Sequence, residues 1–139
     1  MQIALSMLII INLSTNTLTL QKNGQALRTW NVGTAREGKV TPTGWFEIEE
    51  KEHCPPFLGN SSHPVFVAGC DPENPFGKKI LWFIDHTFGI HGTNQPWLIG
   101  SSTTADERRV SGGCVRNAPA DIEWLYQRVE VGTPIHIHW

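Results

Sequence analysis

The chain has 139 residues, 40% hydrophobic and 17% charged, with a formal net charge of −2. That length fits one domain with a sizeable core, so residues 1–139 are expected to fold as a single unit, and the composition excludes a disordered tail. No basic run exceeds Arg108-Arg109 or Lys78-Lys79, which argues against nucleic acid as a partner, and no apolar stretch approaches the roughly 20 residues of a transmembrane segment.

Residues 1–11 are apolar, but no Lys or Arg precedes the run and no small-x-small cleavage site follows it. They read as a first strand, and an export signal is not visible in this chain. Residues 8–13 and 17–22 predict a hairpin, and Asn23-Gly24 supplies the tight turn into a strand over 25–32. Residues 33–38 read as loop. Thr41-Pro42-Thr43-Gly44 is a turn, with a strand over 45–49 behind it. Prolines and small polar residues make 53–64 an irregular loop; 64–68 is short and strand-like, and 71–79 is loop again. Residues 80–84 and 88–91 look like two buried strands, the second ending on His91. Ile122, Leu125, Tyr126 and Val129 recur at helical spacing, with Asn117 or Ala118 near the N-cap, Pro119 in the first turn and Gly132 beyond the end. Residues 135–139 close the chain as a last strand. The expected class is mainly β, sandwich-like mixed sheets with one helix.

The chemistry concentrates between Ile90 and Asn117. His91-Gly92-Thr93 is followed by Ser111-Gly112-Gly113-Cys114-Val115-Arg116. A thiol attacks as thiolate, and a nearby imidazole is the usual means of deprotonating it, so Cys114 reads as nucleophile and His91 as general base. Glycines let backbone N–H groups converge on one point, which makes Gly112 and Gly113, with Cys114, candidate oxyanion donors. The helix begins a few residues after Cys114, and its dipole is expected to lower the thiol pKa. Arg116 offers a planar fork for a substrate carboxylate or a surface salt bridge. Ser111 and Thr93 either position the site or stabilise turns. Trp97, with Trp82 and Phe88, either walls a cleft or packs.

Among the three cysteines, Cys114 is the natural free thiol, while Cys54 and Cys70, sixteen positions apart, either bridge or remain ordinary thiols. His136 and His138 alternate on one face of the last strand, but no acidic or cysteine partner completes a ligand set, so no metal is expected. Residues 100–110 are small and polar without a period, and are expected to be an exposed, mobile loop, a candidate lid between base and nucleophile.

The His-Gly-Thr element, the Ser-Gly-Gly-Cys-Val-Arg element and Val40-Thr41-Pro42-Thr43-Gly44-Trp45-Phe46 together resemble the L,D-transpeptidases, the YkuD-type domain. The likeness runs to Gly132-Thr133-Pro134-Ile135. Two departures stand out. Many members carry His after the motif serine, where this chain has Gly112, so the base falls on His91; and the 100–110 loop is several residues longer. The resemblance implies that the carbonyl of Gly92 orients the His91 ring. It implies a cysteine acyltransferase that releases terminal D-Ala from peptidoglycan stem peptides through a thioester and passes the acyl group to an amine, giving a 3→3 cross-link. The protein would then work outside the cytoplasm as a monomer, without metal or cofactor. The alternatives are an L,D-carboxypeptidase using water as acceptor and a non-catalytic domain that binds wall peptides.

Overall fold

The computed structural model describes residues 6–61 and 63–139; the first part of the predicted opening strand, residues 1–5, lies outside them. In chain order the strands are β1 (Met7–Asn12), β2 (Thr17–Lys22), β3 (Gln25–Ala35), β4 (Gly44–Glu47), β5 (Glu50–His53), β6 (Lys79–Ile84), β7 (Phe88–His91), β8 (Arg109–Ser111), β9 (Val115–Asn117) and β10 (Pro134–His138), with one α-helix, α1 (Pro119–Arg128). They hydrogen-bond in the order β4-β10-β1-β2-β3-β9-β7-β6-β5, with β8 beside β3.

The sheet curls until its ends meet. Phe46 of β4 and Phe83 of β6, far apart along the strand path, have ring centroids 5.4 Å apart. The space enclosed is the core: Ile9, Ile11, Leu18, Leu20, Leu81, Ile90, Val115 and Ile135 are fully buried, together with Ile122 and Leu125 from α1. Burying each such side chain contributes about 1.5–3 kcal/mol. The mainly β, mixed and sandwich-like architecture with one helix is thus the one the sequence predicts.

Local chemistry explains the elements. Alternation in Thr17-Leu18-Thr19-Leu20 sends both leucines inward, while Thr19 pairs with Thr29 across the strands at 2.8 Å. Asn23 and Gly24 hold φ of 52° and 80°, the primed turn that suits the twist of a hairpin. Helix α1 starts as expected, with Pro119 in its first turn and Ala118 as N-cap.

Several expectations need correction. Strand β3 continues through Gly33 to Ala35, where a loop was expected. A Cβ on Gly33 would lie 3.0 Å from Val110 and 3.2 Å from Ile99, so this glycine serves close packing. The strand-like stretch 64–68 contributes only a bridge between Phe57 and Val67. Strand β5 was not foreseen; its charged sequence suits the sheet edge it occupies.

The 100–110 segment is also more built than expected. It holds a 3₁₀ turn (Asp106–Arg108) and all but the last residue of β8. Arg108, only 5% exposed, donates to the carbonyls of Thr103 and Thr15 at 2.7 Å each. Buried Asn16 donates to the Ala105 carbonyl at 2.8 Å. A polar segment without a period is pinned here by hydrogen bonds to backbone, and exposure is concentrated at Ser101, Ser102 and Thr104 on its outer turn and at Asp106 and Glu107.

Candidate active site

Strands β7 and β9 run parallel, with Ile90 opposite Val115 and His91 opposite Arg116. Ile90 and Val115 point into the core. Alternation therefore turns His91 and Arg116 to the other face, along with Cys114, which directly precedes β9. The two residues that sequence chemistry singles out, 23 positions apart, share one face of neighbouring strands.

His91 is buried, and its Nδ1 lies 2.5 Å from the Gly92 carbonyl. A carbonyl only accepts, so Nδ1 carries the proton and Nε2 is left as a lone pair. Burial lowers the imidazole pKa to about 4, against the opposing effect of the Gly92 bond and with help from the Arg116 charge. The ring is thus neutral at physiological pH and fixed in the tautomer that can accept a proton at Nε2.

Cys114 is a free, half-buried thiol whose sulfur donates to the Thr87 carbonyl at 3.8 Å. Its pKa is raised, first by burial; the Gly89 N–H and the Arg116 charge act in the opposite direction. The expected lowering by the helix dipole does not prevail. Strand β9 separates Cys114 from the start of α1 by about 10 Å of extended chain, and the dipole fades within one turn. Arg116 bears electrostatically on both Cys114 and His91.

The turn bearing the thiol is tied from both sides. Ser111 Oγ donates to the Cys114 carbonyl at 2.6 Å and accepts the Gly113 N–H at 3.0 Å. The Gly113 N–H is therefore engaged, while Gly112 is exposed, and a Cβ on it would meet only the Arg36 guanidinium, at 3.9 Å. Gly113 has φ of +138°, and a Cβ there would lie 2.5 Å from the Phe88 ring and 2.7 Å from the Val40 carbonyl oxygen. Gly113→Ala is accordingly expected to displace Cys114 and lower turnover by about 10²-fold or more, given the sensitivity of catalysis to ångström misplacement. A folded Gly113→Ala protein with parental turnover would refute that reading of the turn.

Thr93 is buried and its Oγ1 accepts the Gln95 N–H at 3.0 Å, a turn-stabilising bond. Trp97 lies on a 3₁₀ turn (Pro96–Ile99) and is 67% exposed. A cleft of about 380 Å³ opens beside Gly92 and Thr93, between Asp71, Asn74 and the start of α1, without reaching Cys114.

Three supporting residues escaped the sequence reading. Thr41, within the Thr-Pro-Thr-Gly turn, donates to the Gly113 carbonyl at 2.9 Å and accepts the Ala35 N–H at 3.1 Å. Asn117, expected near a cap, instead ends β9; fully buried, it donates to the His91 carbonyl at 3.0 Å and accepts from Trp30 Nε1 at 2.7 Å. Phe76 packs edge-on against the His91 ring at 5.0 Å. The one signal available was polarity in a core position: a buried Asn has to find partners.

The YkuD family model, described as the L,D-transpeptidase catalytic domain, matches residues 6–137. The chain belongs to the L,D-transpeptidase family.

This L,D-transpeptidase domain is 28% identical over 134 residues to the family protein YqjB of Bacillus subtilis, covering 93% of this chain and 69% of that one. To YbiS of Escherichia coli K12 it is 33% identical over 115 residues, covering 75% of this chain and 35% of the relative. To L,D-transpeptidase 1 of Mycobacterium tuberculosis it is 26% identical over 135 residues, 92% of this chain and 49% of that one. Among solved structures, an L,D-transpeptidase from Mycobacterium smegmatis superposes with a TM-score of 0.78 at 21% identity, over 98% of this chain and 60% of the other. An Enterococcus faecium L,D-transpeptidase gives 0.77 at 20% identity, over 96% and 50%. The L,D-transpeptidase domain thus spans a third to a half of several of its relatives.

Proposed function

We propose that this L,D-transpeptidase domain, working outside the cytoplasm as a monomeric catalytic unit, transfers acyl groups between peptidoglycan stem peptides through a thioester on Cys114. The observation that carries the reading is His91: its Nδ1 is committed to the Gly92 carbonyl, leaving an Nε2 lone pair on the same sheet face as the Cys114 sulfur.

In the first step His91 Nε2 takes the thiol proton as sulfur attacks the carbonyl of the L-centre residue that precedes D-Ala. The carbonyl becomes an oxyanion, and the N–H groups of Gly112 and Cys114 are its donors, since that of Gly113 is held by Ser111. Collapse breaks the C–N bond, and D-Ala leaves with the proton from His91. In the second step an amine of another stem attacks the thioester; His91 takes its proton and returns it to the departing sulfur. The product is a 3→3 cross-link. Arg116, whose charge bears on the thiol, binds a stem carboxylate.

Mass spectrometry of purified tetrapeptide muropeptides incubated with the protein tests this. The expected product is a cross-linked dimer lacking one D-Ala. Tripeptide alone would mean water is the acceptor, a carboxypeptidase; unchanged substrate would leave a peptide-binding domain.

A further inference from the structure

The segment between β5 and β6 lies against the face that carries the site. It is closed by a disulfide between Cys54 and Cys70, 16 positions apart. Both cysteines hold left-handed backbone, with φ of +53° and +63°, which side-chain-bearing residues adopt only at a cost. Both sulfur-bearing residues are half-buried and within reach of solvent.

A proton donor is built beside the bridge. Lys79 Nζ lies 2.6 Å from His53 Nδ1, and an ammonium only donates, so Nδ1 accepts and Nε2 carries the proton. That Nε2 stands 3.4 Å from the Cys54 sulfur. A donor at one sulfur of a disulfide stabilises it as the departing thiolate.

A short route leads from the bridge to His91. Buried Asn74 donates to the carbonyls of Pro55 and Ala68, at 2.9 and 3.1 Å, each close in sequence to a bridged cysteine. Its Oδ1 accepts the Phe76 N–H at 2.8 Å. The Phe76 ring then packs on His91 at 5.0 Å, and on Trp82 and Phe57 on either side.

We propose that Cys54–Cys70 is an exchangeable disulfide, and that its redox state sets the reactivity of the Cys114–His91 pair through Asn74 and Phe76. The proposal rests on the reading of His91 as the base. A thiolate of an external dithiol attacks the Cys70 sulfur, the S–S bond breaks, and Cys54 leaves as a thiolate held by the hydrogen bond from His53 Nε2–H and is then protonated from water. The second thiol of the reagent, as thiolate, attacks the reagent's own sulfur in the mixed disulfide and releases Cys70, which is protonated from water. The dithiol is oxidised to its disulfide, and the protein gains two electrons and two protons. Opening the bridge frees Pro55 and Ala68 from their common hold on Asn74, Phe76 withdraws, and water reaches the imidazole. Phe76, Asn74 and the bridge are thus positioning elements, not catalytic residues.

The test uses the full chain, oxidised, after native treatment with dithiothreitol, alongside Phe76→Leu and a Cys54→Ser, Cys70→Ser double variant. Thiols are counted by mass after alkylation, the His91 ring is titrated by NMR, and D-Ala release is measured. Arg116, the charged group that bears on His91, is retained throughout. The expected result is that dithiothreitol opens the bridge without unfolding the protein. In the reduced protein and in both variants the His91 midpoint should rise from the oxidised parent's value of about 4 toward 6.5, and D-Ala release should fall about tenfold. A bridge that opens only on denaturation overturns the proposal, as does a reduced protein with the parental midpoint and rate. If no form releases D-Ala, the transfer reading fails, while the NMR midpoints still decide whether bridge and histidine are linked.

Discussion

Cys114→Ala is expected to eliminate D-Ala release altogether. The hydroxyl nearest in sequence, Ser111 Oγ, is 1% exposed as a residue and bound to the Cys114 carbonyl and the Gly113 N–H, so it cannot substitute as nucleophile. His91→Ala should leave a residual rate about 10²–10⁴-fold below the parent, the usual worth of a general base. Because burial raises the thiol pKa and leaves the imidazole neutral, the resting pair is thiol and imidazole, not an ion pair. Alkylation of the resting protein near pH 7 should therefore be slow compared with acylation by a bound stem. Full turnover in Cys114→Ala, measured as D-Ala released, would remove the cysteine from the mechanism.

Acid should destabilise the fold through His91. The group is neutral in both folded and unfolded chains above pH 6.5. Between 6.5 and about 4 the unfolded chain takes a proton that the buried ring refuses, so stability falls with pH and the loss saturates below about 4. That gap corresponds to about 3 kcal/mol. His91→Gln cannot titrate, so its urea midpoint should fall less than the parent's between pH 7 and 4. Equal losses in the two proteins would mean that His91 is not the acid-sensitive group. The acid limb of turnover should likewise lie near pH 4.

What the sequence made legible follows from how local each signal is. The hairpin around Asn23-Gly24, the inward leucines of β2 and the Pro119 start of α1 depend on neighbours a few positions away. His91 and Cys114 stood out by residue type and the glycines before the cysteine. The short strands β8 and β9 hold three residues each, too few to display a period. The Thr41 bond to the Gly113 carbonyl spans 72 positions, and Arg108 reaches Thr15 across 93. Partnerships at such distances leave no pattern in a single chain. The raised thiol pKa was hidden for the same reason: burial outweighs a helix that is near in sequence and a strand away in space.

The route between β7 and β9 has a practical side. It is fixed on one flank by buried Ile99 and on the other by Arg108, so neither strand depends on the few residues at its outer turn. Ser101 and Ser102 there are exposed. Lengthening a flexible loop is inexpensive, about 0.6 kcal/mol for each doubling. This is the position at which a fluorescent or affinity peptide can be spliced into the chain while the β7–β9 register stays locked.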